Sequence, residues 1–356
     1  MADVRYRGAT LDAKEEEDLK LISHRLPSKS PILGALAISS IFFCMLVGPC
    51  IPGICILLFW KGLMKIALAL ATSTAISMVI ARHSSSWCRF YTMAAGWFRH
   101  GVHIHMEKRA LTSMSKSPSM WCMHPHGVFV GFGFTLNGAV RLRAEDEKTY
   151  LPPEFVEKVP VDRCRKADGV QAPILFKIPL LRSALLGFGC CTPASKSEMT
   201  KLFKKKVDFG ILPGGMEEVA LYKKGRERVY LKKRAGFIKY ALQHGYLVQP
   251  AYTFGECDMY TSLQIGKSFR MWMLKNLGFV LPIFWGPYWW CFAFFLPRRD
   301  IPVHTVVGSP LQLPMIAEPT RKEVALWHSR YIAAVTEVFD RHKYRFGYGD
   351  RLLEIL

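Results

Sequence analysis

Two imidazoles flank a proline at His124-Pro125-His126-Gly127, directly after the apolar run Met120-Trp121-Cys122-Met123. Imidazole is the side chain whose ordinary pKa lies nearest neutrality, so it suits proton transfer at a reacting group. Pro125 fixes one backbone torsion, and Gly127 allows a sharp turn or the close approach of a ligand. A second cluster, Ile211-Leu212-Pro213-Gly214-Gly215-Met216-Glu217-Glu218, runs a strand into a glycine turn. Backbone N–H groups at such a turn can cradle an anion or an oxyanion, and a plain strand-to-helix turn has the same residues. A carboxylate near an imidazole can orient the ring and stabilise its charged form. The third cluster, Lys232-Lys233-Arg234-Ala235-Gly236-Phe237, stands directly ahead of a helical pattern. Free N–H groups and the helix dipole attract phosphate there, although a solvated charged face produces similar runs.

Other chemistries lack their signatures. The chain has no P-loop, no Gly-x-Gly-x-x-Gly opening a βαβ unit and no Gly-x-Ser-x-Gly elbow. His103 and His105, like His124 and His126, are spaced to share a strand face and could chelate zinc. No zinc-protease motif accompanies them, so no metal is expected. The ten cysteines are scattered without a Cys-x-x-Cys pair, which argues against a disulfide framework or zinc ribbon and fits a reducing, cytosolic setting.

Positioning these clusters requires a sheet, and the chain also carries a greasy N-terminal part. Half of the 356 residues are apolar and mean hydropathy is +0.13, yet the formal charge is +20. That pairing points to anionic partners such as a lipid surface or phosphorylated small molecules. Residues 1–30 are expected as a polar cytosolic tail. Residues 31–81 are expected as a membrane hairpin, with apolar segments at about 32–60 and 63–81. Gly48-Pro49 and Pro52-Gly53 could bend the first segment. Both flanks are basic, so the positive-inside rule places both ends in the cytosol; two spans and a re-entrant hairpin stay open. From residue 82 to 356 short apolar runs alternate with helical patterns. Strands are expected at Ser119–Met123, Asp208–Leu212, Leu247–Phe254 and Ile301–Val307, with a helix over Gly236–His244. The last helix opens with the capping box Thr320-Arg321-Lys322-Glu323. The fold class read from this alternation is α/β, a central sheet flanked by helices. The uncharged aromatic run Asn276–Leu296 reads as an interfacial element, the wall of a lipid-facing pocket, or core.

Taken together, these residues resemble the diacylglycerol acyltransferase type 2 family, which includes monoacylglycerol and wax-ester acyltransferases. The resemblance runs from about residue 119 to 347. It is carried by His124-Pro125-His126-Gly127, by Pro179 to Arg182 with Gly187 and Gly189, and by Gly214-Gly215-Met216-Glu217-Glu218. Arg234, Gly236, Phe237, Phe254-Gly255-Glu256, Val306 to Pro310, His328, Tyr331 and Lys343 complete it. Two departures stand out. Where many relatives have an Arg/His-containing glycine stretch, this chain reads Phe284-Trp285-Gly286-Pro287-Tyr288. The aspartate that related glycerophosphate acyltransferases place five residues after a histidine is Phe129 or Gly131 here.

The resemblance implies an acyltransferase-like central sheet behind the membrane hairpin. It implies transfer of a fatty acyl group from acyl-CoA to the free hydroxyl of 1,2-diacylglycerol, with triacylglycerol and CoA as products. Monoacylglycerol or a fatty alcohol is the alternative acceptor. A non-enzymatic lipid-binding membrane protein and a zinc-dependent membrane hydrolase are rivals from other classes. His126 is then the base, Glu218 holds its tautomer and His124 orients or supports it. Backbone N–H groups at Gly127 or at Gly214 and Gly215 meet the oxyanion, while Lys233, Arg234 and Gly236 bind the CoA phosphates. Acyl-CoA serves as co-substrate with no other cofactor. The expected partners are acyl-CoA, diacylglycerol and the bilayer, without nucleic acid and with room for a homo-oligomer. The expected address is the endoplasmic reticulum membrane, with the termini and catalytic domain cytosolic and lipid droplets as a second site.

Overall fold

The computed structural model describes residues 19–25, 31–114, 117–128, 168–263, 265–278, 280, 283–291 and 293–356. Most of the expected polar tail, together with Phe129 and Gly131, lies outside them. In chain order the first elements are β1 (Leu19–Arg25), the long apolar helix α1 (Pro31–Trp60), α2 (Met64–Ile80), α3 (Ser85–Thr92), β2 (Val102–Glu107), α4 (Lys108–Met114) and β3 (Ser119–His124). Then follow β4 (Asp168–Gln171), α5 (Leu181–Phe188), β5 (Cys191–Pro193), α6 (Lys196–Lys205), β6 (Phe209–Ile211), α7 (Gly215–Leu221), β7 (Glu227–Val229), α8 (Gly236–His244) and β8 (Leu247–Phe254). The chain finishes with β9 (Thr261–Ser262), α9 (Lys267–Leu277), β10 (Phe284–Trp285), β11 (Val303–Val307), β12 (Leu311–Gln312), α10 (Arg321–His342) and β13 (Leu353–Ile355).

The fold is α/β, as expected. Its main sheet runs β1-β2-β11-β8-β3-β6-β4-β5, with β12 also paired to β8. Strands β8, β3, β6, β4 and β5 are mutually parallel. Such strands are covered on both faces and read as continuous apolar runs. Every residue of β8 is buried. The core forms where Met120, Phe209, Val248, Tyr252 and Phe254 of the sheet meet Tyr331, Val335, Val338 and Phe339 of α10. The α10 N-terminus carries the expected capping box, in which Thr320 and Glu323 satisfy each other's backbone N–H groups.

One local expectation is revised. Residues 19–25, read as part of the polar tail, form β1 and pair antiparallel with β2. Pro49 and Pro52 lie inside α1, and the helix runs on through both to Trp60. Among the described helices α1 is long and apolar enough to cross a membrane; α2 joins α3 and the turn Met93–Trp97 in a pair bent by 96°. Helix α1 is also packed against the α/β part. A Cβ on Gly34 would lie 2.6 Å from the Trp97 nitrogen, and one on Gly48 would lie 2.2 Å from the Pro179 carbonyl oxygen. Phe42 stacks on Phe295 with ring centroids 4.4 Å apart. The aromatic run after residue 276 therefore divides: Phe284, Phe294 and Phe295 pack on α1, while Trp289 and Trp290 face outward.

Candidate active site

Parallel strands place their C-terminal ends along one edge of a sheet, where ligands of open α/β folds bind. Adjacent strands β3 and β6 release the first two motifs at that edge. His124 is the last residue of β3, followed by a cis bond to Pro125 and by Gly127 at φ +67°. Strand β6 runs into Leu212-Pro213-Gly214, and α7 begins at Gly215, where φ is +55°. Both glycines of this turn are required, for different reasons. Gly215 holds a left-handed conformation, whereas Gly214 makes room: a Cβ there would lie 1.9 Å from Glu218 Oε1. The Glu218 carboxylate thus folds back over the start of its own helix.

That carboxylate joins the two motifs. Glu218 Oε2 accepts from the His126 backbone N–H at 2.6 Å, and Oε1 accepts from the Tyr230 N–H at 2.9 Å. Glu218 Oε1 also lies 3.4 Å from His124 Nδ1. On its other side, His124 Nε2 shares a 2.8 Å hydrogen bond with the Tyr331 hydroxyl. Burial pushes the Glu218 carboxyl up, but His124 and the two backbone donors outweigh it and hold the group below its ordinary value. Glu218 is a fixed anion.

This arrangement redistributes the roles read from sequence. Glu218 meets the His124 ring, and reaches His126 through the backbone instead of the imidazole. His124 is 1 % exposed, hydrogen-bonded at Nε2 and facing the Glu218 charge at Nδ1; His126 is 9 % exposed, and the buried Nδ1 atoms of both rings lack a hydrogen-bond partner among the described residues. Burial lowers the His126 pKa below its ordinary value, and the nearby Glu218 charge offsets that only in part. His126 is accordingly a neutral imidazole at neutral pH. Of the proposed oxyanion donors, the Gly215 N–H is already given to Leu212 O at 3.0 Å. Among the described residues, the Gly127 and Gly214 N–H groups donate in no backbone bond outside helices and strands.

The basic cluster lies on the next segment. Glu217, one residue before Glu218, pairs with the Arg234 guanidinium. Arg234 is thereby partly neutralised, although its buried Nε has no partner among the described residues. Lys232, Lys233 and Gly236 are exposed, and α8 starts at Gly236 with no side-chain cap. Helix α10 backs both clusters: Tyr331 reaches His124, while His328, one turn earlier, lies against the backbone of Leu231 and Arg234. Burial lowers the His328 pKa, and that backbone opposes it. The roles of Tyr331 and Tyr230 have no local sequence signal. Tyr331 sits on an apolar stripe that periodicity assigns to the core, and a backbone N–H has no side-chain signature.

Among the described residues no group of three His, Cys, Asp or Glu converges. His103 and His304 stack face to face with centroids 4.8 Å apart, and His105 Nε2 bonds His304 Nδ1 at 3.1 Å. Burial and the neighbouring imidazoles lower His105 to a pKa of about 2. These rings form a stack on the β2–β11 side of the sheet.

A family profile described as diacylglycerol acyltransferase matches residues 56–355. The chain belongs to this family. Diacylglycerol O-acyltransferase 2-like protein 6 of Homo sapiens is 31 % identical over 284 residues, covering 74 % of this chain and 77 % of that protein. Diacylglycerol O-acyltransferase 2 of Bos taurus is 33 % identical over 283 residues, covering 74 % and 71 %. Acyl-CoA wax alcohol acyltransferase 2 of Mus musculus is 36 % identical over 183 residues, covering 49 % and 55 %. Coverage of the relatives varies, and the match to the Eremothecium gossypii diacylglycerol O-acyltransferase 1 spans only 41 % of that protein.

Proposed function

We propose that the chain transfers a fatty acyl group from acyl-CoA to the free hydroxyl of 1,2-diacylglycerol, releasing triacylglycerol and CoA. One observation carries the reading within this family: a single buried carboxylate, Glu218, ties the His124 ring and the His126 backbone into one unit. A hydroxyl is a poor nucleophile until a base takes its proton. His126 takes that proton as the oxygen attacks the thioester carbonyl. The resulting oxyanion is met by the Gly127 and Gly214 N–H groups. The intermediate collapses by breaking the C–S bond, and the proton held by His126 returns to the departing thiolate. His124, gripped between Glu218 and Tyr331, is a positioning residue in this scheme. No metal or further cofactor is called for.

Lys233 and the uncapped start of α8 at Gly236 supply the phosphate grip for CoA. Arg234 contributes the face that Glu217 leaves open. Both substrates carry acyl chains, which fits a site whose domain is packed against an apolar helix. We place the protein in the endoplasmic reticulum membrane with its catalytic part cytosolic, and with lipid droplets as a second location. The wax alcohol relative favours a fatty alcohol as the second acceptor to test.

The test offers purified full-length protein one labelled acyl-CoA together with diacylglycerol, monoacylglycerol and a long-chain alcohol. Labelled triacylglycerol is expected as the main product. A predominance of wax ester reassigns the acceptor. His126→Ala is expected to lower turnover by about 10²–10⁴-fold, the usual worth of a general base, and full turnover in that variant overturns the mechanism.

A further inference from the structure

Acyl transfer leaves unused a cavity of about 140 Å³ lined by Thr261, Trp285, Gly286, Pro287, Trp289 and Arg298. Its walls are fixed. The Gly286 N–H donates to Phe294 O at 2.5 Å, and a Cβ on Gly286 would lie 1.8 Å from Leu296 O. The Arg298 N–H donates to Met259 O at 3.1 Å, and next to it Trp97 Nε1 donates to Pro297 O at 2.9 Å. The Arg298 guanidinium gives one terminal nitrogen to Asp300 Oδ2 at 3.0 Å. Its Nε is buried and has no partner among the described residues. The side chain as a whole is 36 % exposed and lines the cavity, and a guanidinium fork matches the geometry of phosphate.

Location narrows the source of that phosphate. The aromatic segment that builds the cavity rests on the membrane-length helix: Phe42 stacks on Phe295 at 4.4 Å and meets Phe284 and Phe294 edge-on at 6.4 and 5.5 Å. Beside the cavity, Trp289 and Trp290 are 65 % and 71 % exposed, and indole rings favour the bilayer–water interface. We infer that the cavity holds the phosphate of an anionic phospholipid, with Arg298 as its anchor and Trp285 and Trp289 as its walls. This second lipid site goes beyond the acyl-transfer reading. A neutral acylglycerol has no charge for the guanidinium to match. Acyl-CoA also carries phosphates, but the grip proposed for them lies on another segment, at Lys233 and the start of α8.

The test uses the full chain in a phosphate-free maltoside detergent, titrated with phosphatidic acid whose acyl chains are brominated to quench nearby indoles. Wild type is expected to show saturable quenching. Arg298→Gln is expected to weaken it at least tenfold, and Arg298→Lys to fall between the two. Thr261→Leu fills the cavity without touching its charge and is expected to cause a similar loss. It carries the test where Arg298→Gln fails to give a cooperative thermal transition. Brominated diacylglycerol is expected to bind wild type and Arg298→Gln alike. Unchanged phosphatidic acid binding in a folded Arg298→Gln or Thr261→Leu overturns the inference. So does displacement of the lipid by CoA or inorganic phosphate as effective as displacement by unlabelled phosphatidic acid, which reassigns the site to a soluble ligand.

Discussion

The two histidines of His124-Pro125-His126-Gly127 are chemically alike and environmentally opposite. His124 is bonded to Tyr331 at Nε2 and lies against the Glu218 charge at Nδ1, whereas the His126 ring has neither contact. Tyr331→Phe removes one neighbour and leaves His124 Nε2 buried without a partner, a loss worth roughly 1–3 kcal/mol. Turnover is expected to fall about tenfold, the equivalent of about 1.4 kcal/mol, with KM for acyl-CoA unchanged; a change confined to KM would contradict the positioning role. The pH profile separates His126 from Glu218. Proton abstraction requires neutral His126, whose pKa lies below the ordinary 6.5, so activity is present above that pKa and lost as pH falls through it. The acid limb of kcat/KM is therefore expected below pH 6.5. The Glu218 charge raises the His126 pKa, so Glu218→Gln is expected to move the limb to lower pH while reducing the maximum. A limb moving upward would show that His126 is not the titrating base.

Elements were legible in the sequence wherever their signals are local. The largely apolar run over Leu247–Phe254, the helical stripe over Gly236–His244 and the Thr320–Glu323 box all name their own ends. What sequence could not show is convergence. Glu218 meets backbone from segments 92 and 12 residues away, and Tyr331 reaches a histidine 207 positions earlier. Helix α1 shows the same limit, because its uniform apolarity hides the side that docks. Gly48 lies against Pro179, while Gly53 faces open space. Gly48→Val is accordingly expected to cost about 1–3 kcal/mol by overpacking, and Gly53→Val nearly nothing, as read from thermal unfolding in detergent. Equal effects would show that helix propensity dominates and docking does not. A further joint links β2, the loop at Ser309 and the end of α10. Glu107 accepts from Ser309 N and Oγ and from Arg341 and His342. Burial pushes its carboxyl up, yet the bonds from His342 and Ser309 and the Arg341 charge bring it down to about 2. A depressed carboxylate stabilises the fold above its ordinary 4.5 and loses that contribution as pH falls towards 2. The contribution is on the order of 3 kcal/mol. Melting curves from pH 6 down to pH 3 are expected to show a fall in wild type that Glu107→Gln lacks in part, starting from a lower value.

At the scale of the molecule, a hairpin over 31–81 and a catalytic part over 82–356 look separable by composition, and the packing joins them. Ala37, Ile38 and Phe42 are buried, Gly34 lies against Trp97, and Phe42 covers Phe284, Phe294 and Phe295. Ala37 and Ile38 share a core cluster with Trp97, Phe98, Tyr222 and Tyr260. Tyr222 follows directly on α7, the helix that carries Glu218, and its hydroxyl donates towards the carbonyls of Cys257 and Tyr260. The long apolar helix α1 thus backs the element that holds Glu218. Helix α2 is tied in as well, since Arg182 Nε donates to Met78 O at 3.0 Å and Ser183 Oγ to Ser77 O at 3.0 Å. A chain cut to residues 82–356 would expose this seam, and contiguous apolar surface of that kind drives association. The truncated protein is therefore expected to aggregate, with no cooperative transition and no turnover, when examined by size-exclusion chromatography, calorimetry and acyl transfer in detergent. A monodisperse, active fragment would show that the hairpin is only an anchor. The packing predicts instead that α1, the helix of membrane-spanning length, also sets the geometry of the carboxylate joining the two histidines.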